Sequence, residues 1–333
     1  MMQANSKLQD VLYIRCFAVI SLVAWHSYCS YTCWGYGNSP LDSFYSLLFR
    51  ILTPDANMPL FTFLAGYLFC FLLKEKNKYT SFKEFLLNKV HRLLIPFLIL
   101  GTLTNLTEID KSLVEMFYGK PSHLWYCLML FYCYMACWLF EKWGGKKLNL
   151  LVAGVSCVIV LFKGTGALGP NIPFGLFLPL YYYCYFYIGF LVFNSKEQLL
   201  KLLRKYWTLI LVLLIALAIG NKSKLILFQS LTYIALILVV FNSKLFVNTV
   251  EKNSRHKCYI ILIVNSIAQG SMGIYVFHQW IIWNITRPEF LHNFIHIHYI
   301  VFPLLCWFVV FIVSWGLSYI LITYTRWGKY LLT

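Results

Sequence analysis

The chain has 333 residues, of which 60% are hydrophobic and only 12% charged, with 28 Lys+Arg against 12 Asp+Glu and a formal charge of +16. Soluble chains carry about 25% charged residues, so half the solvating charge is missing, and the same figures exclude disorder, collagen and a secreted disulfide scaffold. What is left is an all-α, polytopic membrane protein, in which a basic excess has to be located before it is read as a nucleic-acid signal.

Ten apolar stretches approach the roughly 20 residues needed to cross a bilayer: 11–30, 57–73, 93–108, 122–140, 147–163, 172–193, 206–220, 225–241, 259–284 and 299–323. The polar residues 1–10 lack a small-residue cleavage site after the first run, so that run reads as a retained helix. It carries Arg15 and His26. Eleven residues are about three helical turns, which puts the two side chains within about 20° of one face and about 16 Å apart along the axis. Alone, Arg15 reads equally well as an anchor to phosphate headgroups. As a pair on one face, the two polar groups point to a shared interior or aqueous path.

Residues 44–53, too short to span, read as an interfacial or re-entrant helix halted by Pro54. Ahead of the third span, Lys89 and Arg92 are three apart and face one way on a helix, either as an ordinary cytoplasmic anchor or as a clamp for phosphates. The tyrosines of the sixth span, Tyr181, Tyr182, Tyr183, Tyr185 and Tyr187, read as an interfacial belt, with a sugar path as the alternative. The ninth span brings Ser271, Tyr275 and His278, the last at a depth similar to that of His26. Apart from Glu108 at the very end of the third, no Asp or Glu falls inside the ten stretches, which weighs against a proton-coupled transporter. No metal is expected, because no third ligand accompanies the two histidines, and His292, His296 and His298 read as a solvated outer loop. Eight of the eleven cysteines lie in apolar runs and behave as small hydrophobes, while Cys29 and Cys33 are a possible oxidised pair.

Orientation follows from the loops. With the N-terminus inside, twenty Lys/Arg fall in cytoplasmic segments and six outside, so both termini are expected in the cytoplasm and the chain in the cell inner (cytoplasmic) membrane as a multi-pass protein. Arg15 then lies near the cytoplasmic surface, and His26 and His278 in the outer half. Residues 1–333 read as one domain, with no internal repeat.

Five motifs in order resemble the acyltransferase-3 family of integral membrane O-acyltransferases over nearly the whole chain. They are Arg15 and His26 with ten residues between them, Met58 to Phe69 in the second span, His91 to Pro96, Leu124-Trp125-Tyr126, and Ser271 to His278. Ala65 stands where the family has Ser, and Lys89 where the basic run begins with Arg. The resemblance implies transfer of an acyl group, most often acetyl, from cytoplasmic acyl-CoA to a hydroxyl of a cell-surface or lipid-linked carbohydrate, as in polysaccharide modification of the cell envelope. Acetyl-CoA is then a substrate and no permanently bound cofactor is implied. The expected partners are acyl-CoA, the carbohydrate and membrane lipids, with no nucleic acid. Arg15, Arg92 and Lys89 are expected to bind the donor phosphates, and His26 to act as general base. His278, Tyr275, Trp125 and Ser271 are expected to serve the acceptor, the oxyanion or the structure. An acyl-histidine intermediate and direct transfer both remain open. The alternatives are a transporter or flippase of lipid-linked sugars and an inactive relative serving as a scaffold or sensor.

Overall fold

The structure, a computed structural model, describes residues 8–29, 57–107, 124–163, 173–220, 225–243, 246, 254–286, 288, 289–298, 300 and 301–332. The expected short helix at 44–53 and the Cys29/Cys33 pair lie outside the described side chains. Every described element is helical: α1 (Gln9–Cys29), α2 (Asn57–Lys74), α3 (Phe82–Lys89), α4 (Ile95–Thr107), α5 (Trp125–Leu139), α6 (Gly145–Lys163), α7 (Leu178–Lys205), α8 (Trp207–Gly220), α9 (Ile226–Phe241), α10 (Ser254–Thr286), α11 (Glu289–Ile297), α12 (Val301–Tyr324) and α13 (Arg326–Leu332).

Each of the ten expected stretches lies on a helix, but the count of spans differs. Among the described residues six helical stretches are long and apolar enough to cross a membrane, or seven if the bent pair α7 and α8, which meet at 76°, is one span. Two local features bear on the count among the described residues. Five residues in π conformation, Phe140–Gly144, carry α5 almost directly into α6, so two expected spans run on from each other. At 16 residues, α9 is short for a full crossing.

Proline placement explains several helix starts. Pro59, Pro96, Pro179 and Pro303 all sit in the first turn of a helix, where a missing N–H costs nothing. Pro96 follows a π-turn, Val90–Leu94, that joins α3 to α4. A ring that cannot donate and that crowds the carbonyl four residues earlier is a known cause of such widening. Gly145, at φ 64°, supplies the left-handed residue that lets α6 begin straight after the second π-turn.

The contacts group the chain into two compact units, Met1–Asn57 with Leu236–Thr333, and Met58–Ala235. In the first, α1, α10 and α12 pack pairwise. Long-range hydrogen bonds tie them: Trp307 Nε1 donates to the Ile20 carbonyl (3.1 Å), Trp315 Nε1 to Ser266 Oγ (3.1 Å), and Ser318 Oγ to the Gly270 carbonyl (2.9 Å). Small residues at Gly270, Gly273 and Ser318 let α10 and α12 approach, which is how helices associate in lipid without a hydrophobic driving force.

In the second unit, α2 and α7 approach through Gly66 and Gly189, and aromatic side chains fill the space around Phe69. The tyrosines expected as a belt are interior instead: Tyr181, Tyr182, Tyr183, Tyr185 and Tyr187 are all at most 5% exposed. Periodicity does not separate the two cases, because a tyrosine run wraps every side of its helix. Glu141, expected in a cytoplasmic loop, is half-buried in the π-turn. Its Oε1 accepts from Asn149 Nδ2 (2.6 Å) and from the Tyr187 hydroxyl (3.5 Å), while the Tyr183 hydroxyl donates to Asn149. This is a carboxylate satisfied by side chains of the two following helices, α6 and α7, as a partly buried charge requires.

Candidate functional site

In the first unit α1 and α10 bring His26 and His278 together. His26 Nδ1 lies 2.6 Å from His278 Nε2, and the rings are inclined by only 20°. The two residues are 252 apart in sequence, so only the packing of the first helix against the tenth creates the pair.

The protons in this pair can be assigned from their neighbours. His278 is fully buried, and its Nδ1 lies 2.9 Å from the Ile274 carbonyl of its own helix. A carbonyl only accepts, so Nδ1 of His278 carries the hydrogen. In a neutral imidazole the other nitrogen then holds the lone pair, and Nε2 of His278 accepts from Nδ1–H of His26. The basic lone pair of His26 is thereby placed on Nε2. His26 itself is half-buried, whereas His278 is enclosed. The outcome is one histidine held in a fixed tautomer by another, which is in turn fixed by the backbone.

The other expected residues divide between the units. Arg15 lies on α1 with His26 and is half-buried. Tyr275, 8% exposed, has its ring 6.1 Å from that of His278, so it borders the pair. Ser271 is buried one turn earlier and donates to the Ala268 carbonyl of its own helix at 2.9 Å.

Arg92, Lys89 and Trp125 belong to the second unit. Arg92 is exposed in the π-turn. Lys89, one turn back, is only 5% exposed, and its ammonium lies 3.5 Å from the Tyr134 ring centre, with Tyr79 at 5.2 Å and Phe69 at 5.6 Å. Cation–π attraction holds a desolvated ammonium in such a box, so Arg92 alone of the two presents its charge outward. Tyr79, in the loop between α2 and α3, donates to Asn88 Oδ1 (2.8 Å) and accepts Trp138 Nε1 on its carbonyl (3.2 Å), and burial pushes its phenol pKa up. Trp125 is half-buried against Tyr182, ring centres 5.4 Å apart.

Sequence reasoning missed the role of Ile274, whose carbonyl sets the tautomer of His278. Its signal is the spacing of four between Ile274 and His278 on a helix, which brings a side-chain donor onto that carbonyl. Among the described residues no group of three or more His, Cys, Asp or Glu is arranged to hold a metal ion. All eight described cysteines are free thiols, seven of them buried.

The family model described as an acyltransferase domain, acyltransferase-3, matches residues 9–323. No curated protein and no solved structure matches the chain.

Proposed function

The chain belongs to the acyltransferase-3 family and is a multi-pass membrane acyltransferase, and from that premise we propose that it moves an acetyl group from cytoplasmic acetyl-CoA to a carbohydrate hydroxyl. The observation that carries the reading is the contact between His26 and His278. An imidazole held in one tautomer is suited to take a proton from an attacking hydroxyl.

In the step proposed, Nε2 of His26 removes the hydroxyl proton as the oxygen attacks the thioester carbonyl carbon. The tetrahedral oxyanion collapses, the carbon–sulfur bond breaks, and the leaving thiolate takes the proton from the His26 imidazolium. His278 positions His26 and, by accepting from Nδ1–H, stabilises the charge that His26 acquires. Its Nε2 is engaged in that bond, so its part is to serve the base. Tyr275, beside the pair, is the nearby candidate to help an oxyanion or an acceptor.

Arg15, on the helix of His26, is assigned to the donor's phosphates on its charge and on its cytoplasmic end in the orientation read from the loops, and Arg92 is a separate exposed cation at a cytoplasmic helix end. Lys89, with its ammonium among rings, is assigned the support of the turn that carries Arg92.

Purified protein in liposomes, given labelled acetyl-CoA and glycan acceptors, is expected to transfer label to carbohydrate. A wild-type protein that labels none of them overturns the reading. The orientation has its own check: in a cysteine-free background His292→Cys is expected to react with a membrane-impermeant maleimide added outside. Labelling only after permeabilisation would reverse the topology.

A further inference from the structure

α7 is longer than a membrane is thick. Its 28 residues extend about 42 Å at 1.5 Å per residue, against a hydrocarbon core of about 30 Å. The surplus lies at the C-terminal end, where Ser195 leaves helical geometry (φ −118°, ψ 18°). There the apolar run gives way to Lys196, Lys201, Arg204 and Lys205, with Glu197 the one acid between Asn194 and Trp207. Directly after Tyr206 the chain turns by 76° into α8, whose 14 residues carry no charge and expose Leu209, Val212 and Ile219. A helix apolar on every side belongs in hydrocarbon. The basic segment is therefore tethered at both ends by apolar helix and held at the membrane surface, on the side that the loop charges make cytoplasmic.

Within this segment the side chains are sorted by face. Lys201, Arg204 and Lys205, at i, i+3 and i+4, fall within about 100° of one another around the helix, and all three are exposed. Leu199, Leu200 and Leu203 share an arc of similar width on the other side, where Leu200 is buried and the other two are half-buried. Leu202 falls between the arcs and is exposed, as are Tyr206 and Trp207, and Lys205 Nζ lies 5.2 Å from the Tyr206 ring centre. This order of leucine, aromatic ring and cation suits the boundary between acyl chains and headgroups, where rings anchor and long cations reach phosphate. α2 brings more charge to the same place. Lys74 Nζ donates to Asn194 Oδ1 (3.5 Å), one residue before the break at Ser195, and Lys76 is exposed nearby in sequence. A topological signal needs cations only somewhere in the loop; it does not need them on one helix face with leucines opposite.

We infer that the end of α7 is a binding site for anionic phospholipid of the cytoplasmic leaflet, with Lys201, Arg204 and Lys205 on the headgroup phosphate and Leu202 against the acyl chains. Arg204 supplies the planar fork that fits two phosphate oxygens, and the lysines supply point charge. Each cation near the surface raises affinity for acidic lipid about fivefold. A zwitterionic headgroup offers no such net charge.

The test is a binding measurement, independent of acyl transfer. The full chain in a cysteine-free background, with Leu202→Cys carrying an environment-sensitive fluorophore, is titrated in neutral detergent with a short-chain phosphatidylglycerol. A saturable blue shift is expected, weakened by added salt and not reproduced by phosphatidylcholine of the same chain length. Lys201→Gln, Arg204→Gln and Lys205→Gln together are expected to raise the concentration for half-maximal shift on the order of a hundredfold. Lys201→Arg with Lys205→Arg, which keeps the charge, is expected to bind like the parent. So is Lys146→Gln with Lys147→Gln, which removes another exposed pair at the start of α6. The site is overturned if phosphatidylglycerol gives no saturable shift or if the triple glutamine variant binds like the parent. It is equally overturned if the Lys146 and Lys147 changes weaken binding as much, since overall charge would then be the cause. Inorganic phosphate or CoA producing the same shift would assign the cations to a soluble ligand and overturn it too.

Discussion

His26→Ala is expected to lower the rate of acyl transfer by about 10²- to 10⁴-fold, the usual span for losing a general base, with little change in the acetyl-CoA concentration giving half-maximal rate. The side chain is half-buried, so its truncation opens no fully enclosed cavity and the loss is chemical before it is structural. His278→Ala is expected to cost less, because His26 keeps its lone pairs but loses the acceptor that fixes its tautomer. Glutamine at 278 places a carbonyl oxygen near the position of Nε2, so His278→Gln is expected to recover part of the loss. Transfer by His26→Ala at the wild-type rate would remove His26 from the chemistry altogether.

The pair shows what the sequence could and could not convey. Arg15 and His26 stand out because ionisable groups are rare in apolar runs and because eleven residues return a helix to the same face. His278 was legible as a second histidine at similar depth. The 2.6 Å contact was not, since it depends on how α1 and α10 pack, and no local pattern encodes that angle. A spacing of three on a helix makes Lys89 and Arg92 look equivalent. A π-turn between them and an aromatic box assembled from α2, α5 and the loop at Tyr79 make one buried and the other exposed. The tyrosine run failed in the opposite sense: tyrosine is the residue of the membrane interface and also a large core side chain, and composition does not decide between them. Hydropathy marks a polar interruption such as Glu141 to Lys147 as a loop even where, as here, helix nearly continues through it.

Gly66→Ala is the substitution expected to damage the fold most. A Cβ built at Gly66 would stand 1.8 Å from the Phe186 carbonyl oxygen, and one at Gly189 would stand 2.0 Å from the Phe63 carbonyl oxygen. The contact is reciprocal: each helix presents a glycine to the backbone of the other one turn away, so α2 and α7 touch main chain to main chain. Real Cβ atoms never come so near, and the obstacle is backbone, which cannot swing aside as a side-chain end can. The helices must separate, and the layer of rings around Phe69, packed on Phe186 and Phe190 of α7, must separate with them. Overpacking of a close-packed interior costs about 1–3 kcal/mol, and more where no rotamer relieves it. Gly66→Ala is therefore expected to lower the unfolding temperature of the purified protein and the yield in membranes, and Gly66→Val to abolish the folded form. Gly154→Ala is the control, since a Cβ there meets nothing within 4 Å. It is expected to unfold like wild type. Equal stability of Gly66→Ala and Gly154→Ala would show that α2 and α7 do not meet through these glycines. It would also return the Ala65-Gly66-Tyr67 stretch, part of the family-like motif, to a role in the chemistry in place of the packing role assigned to it.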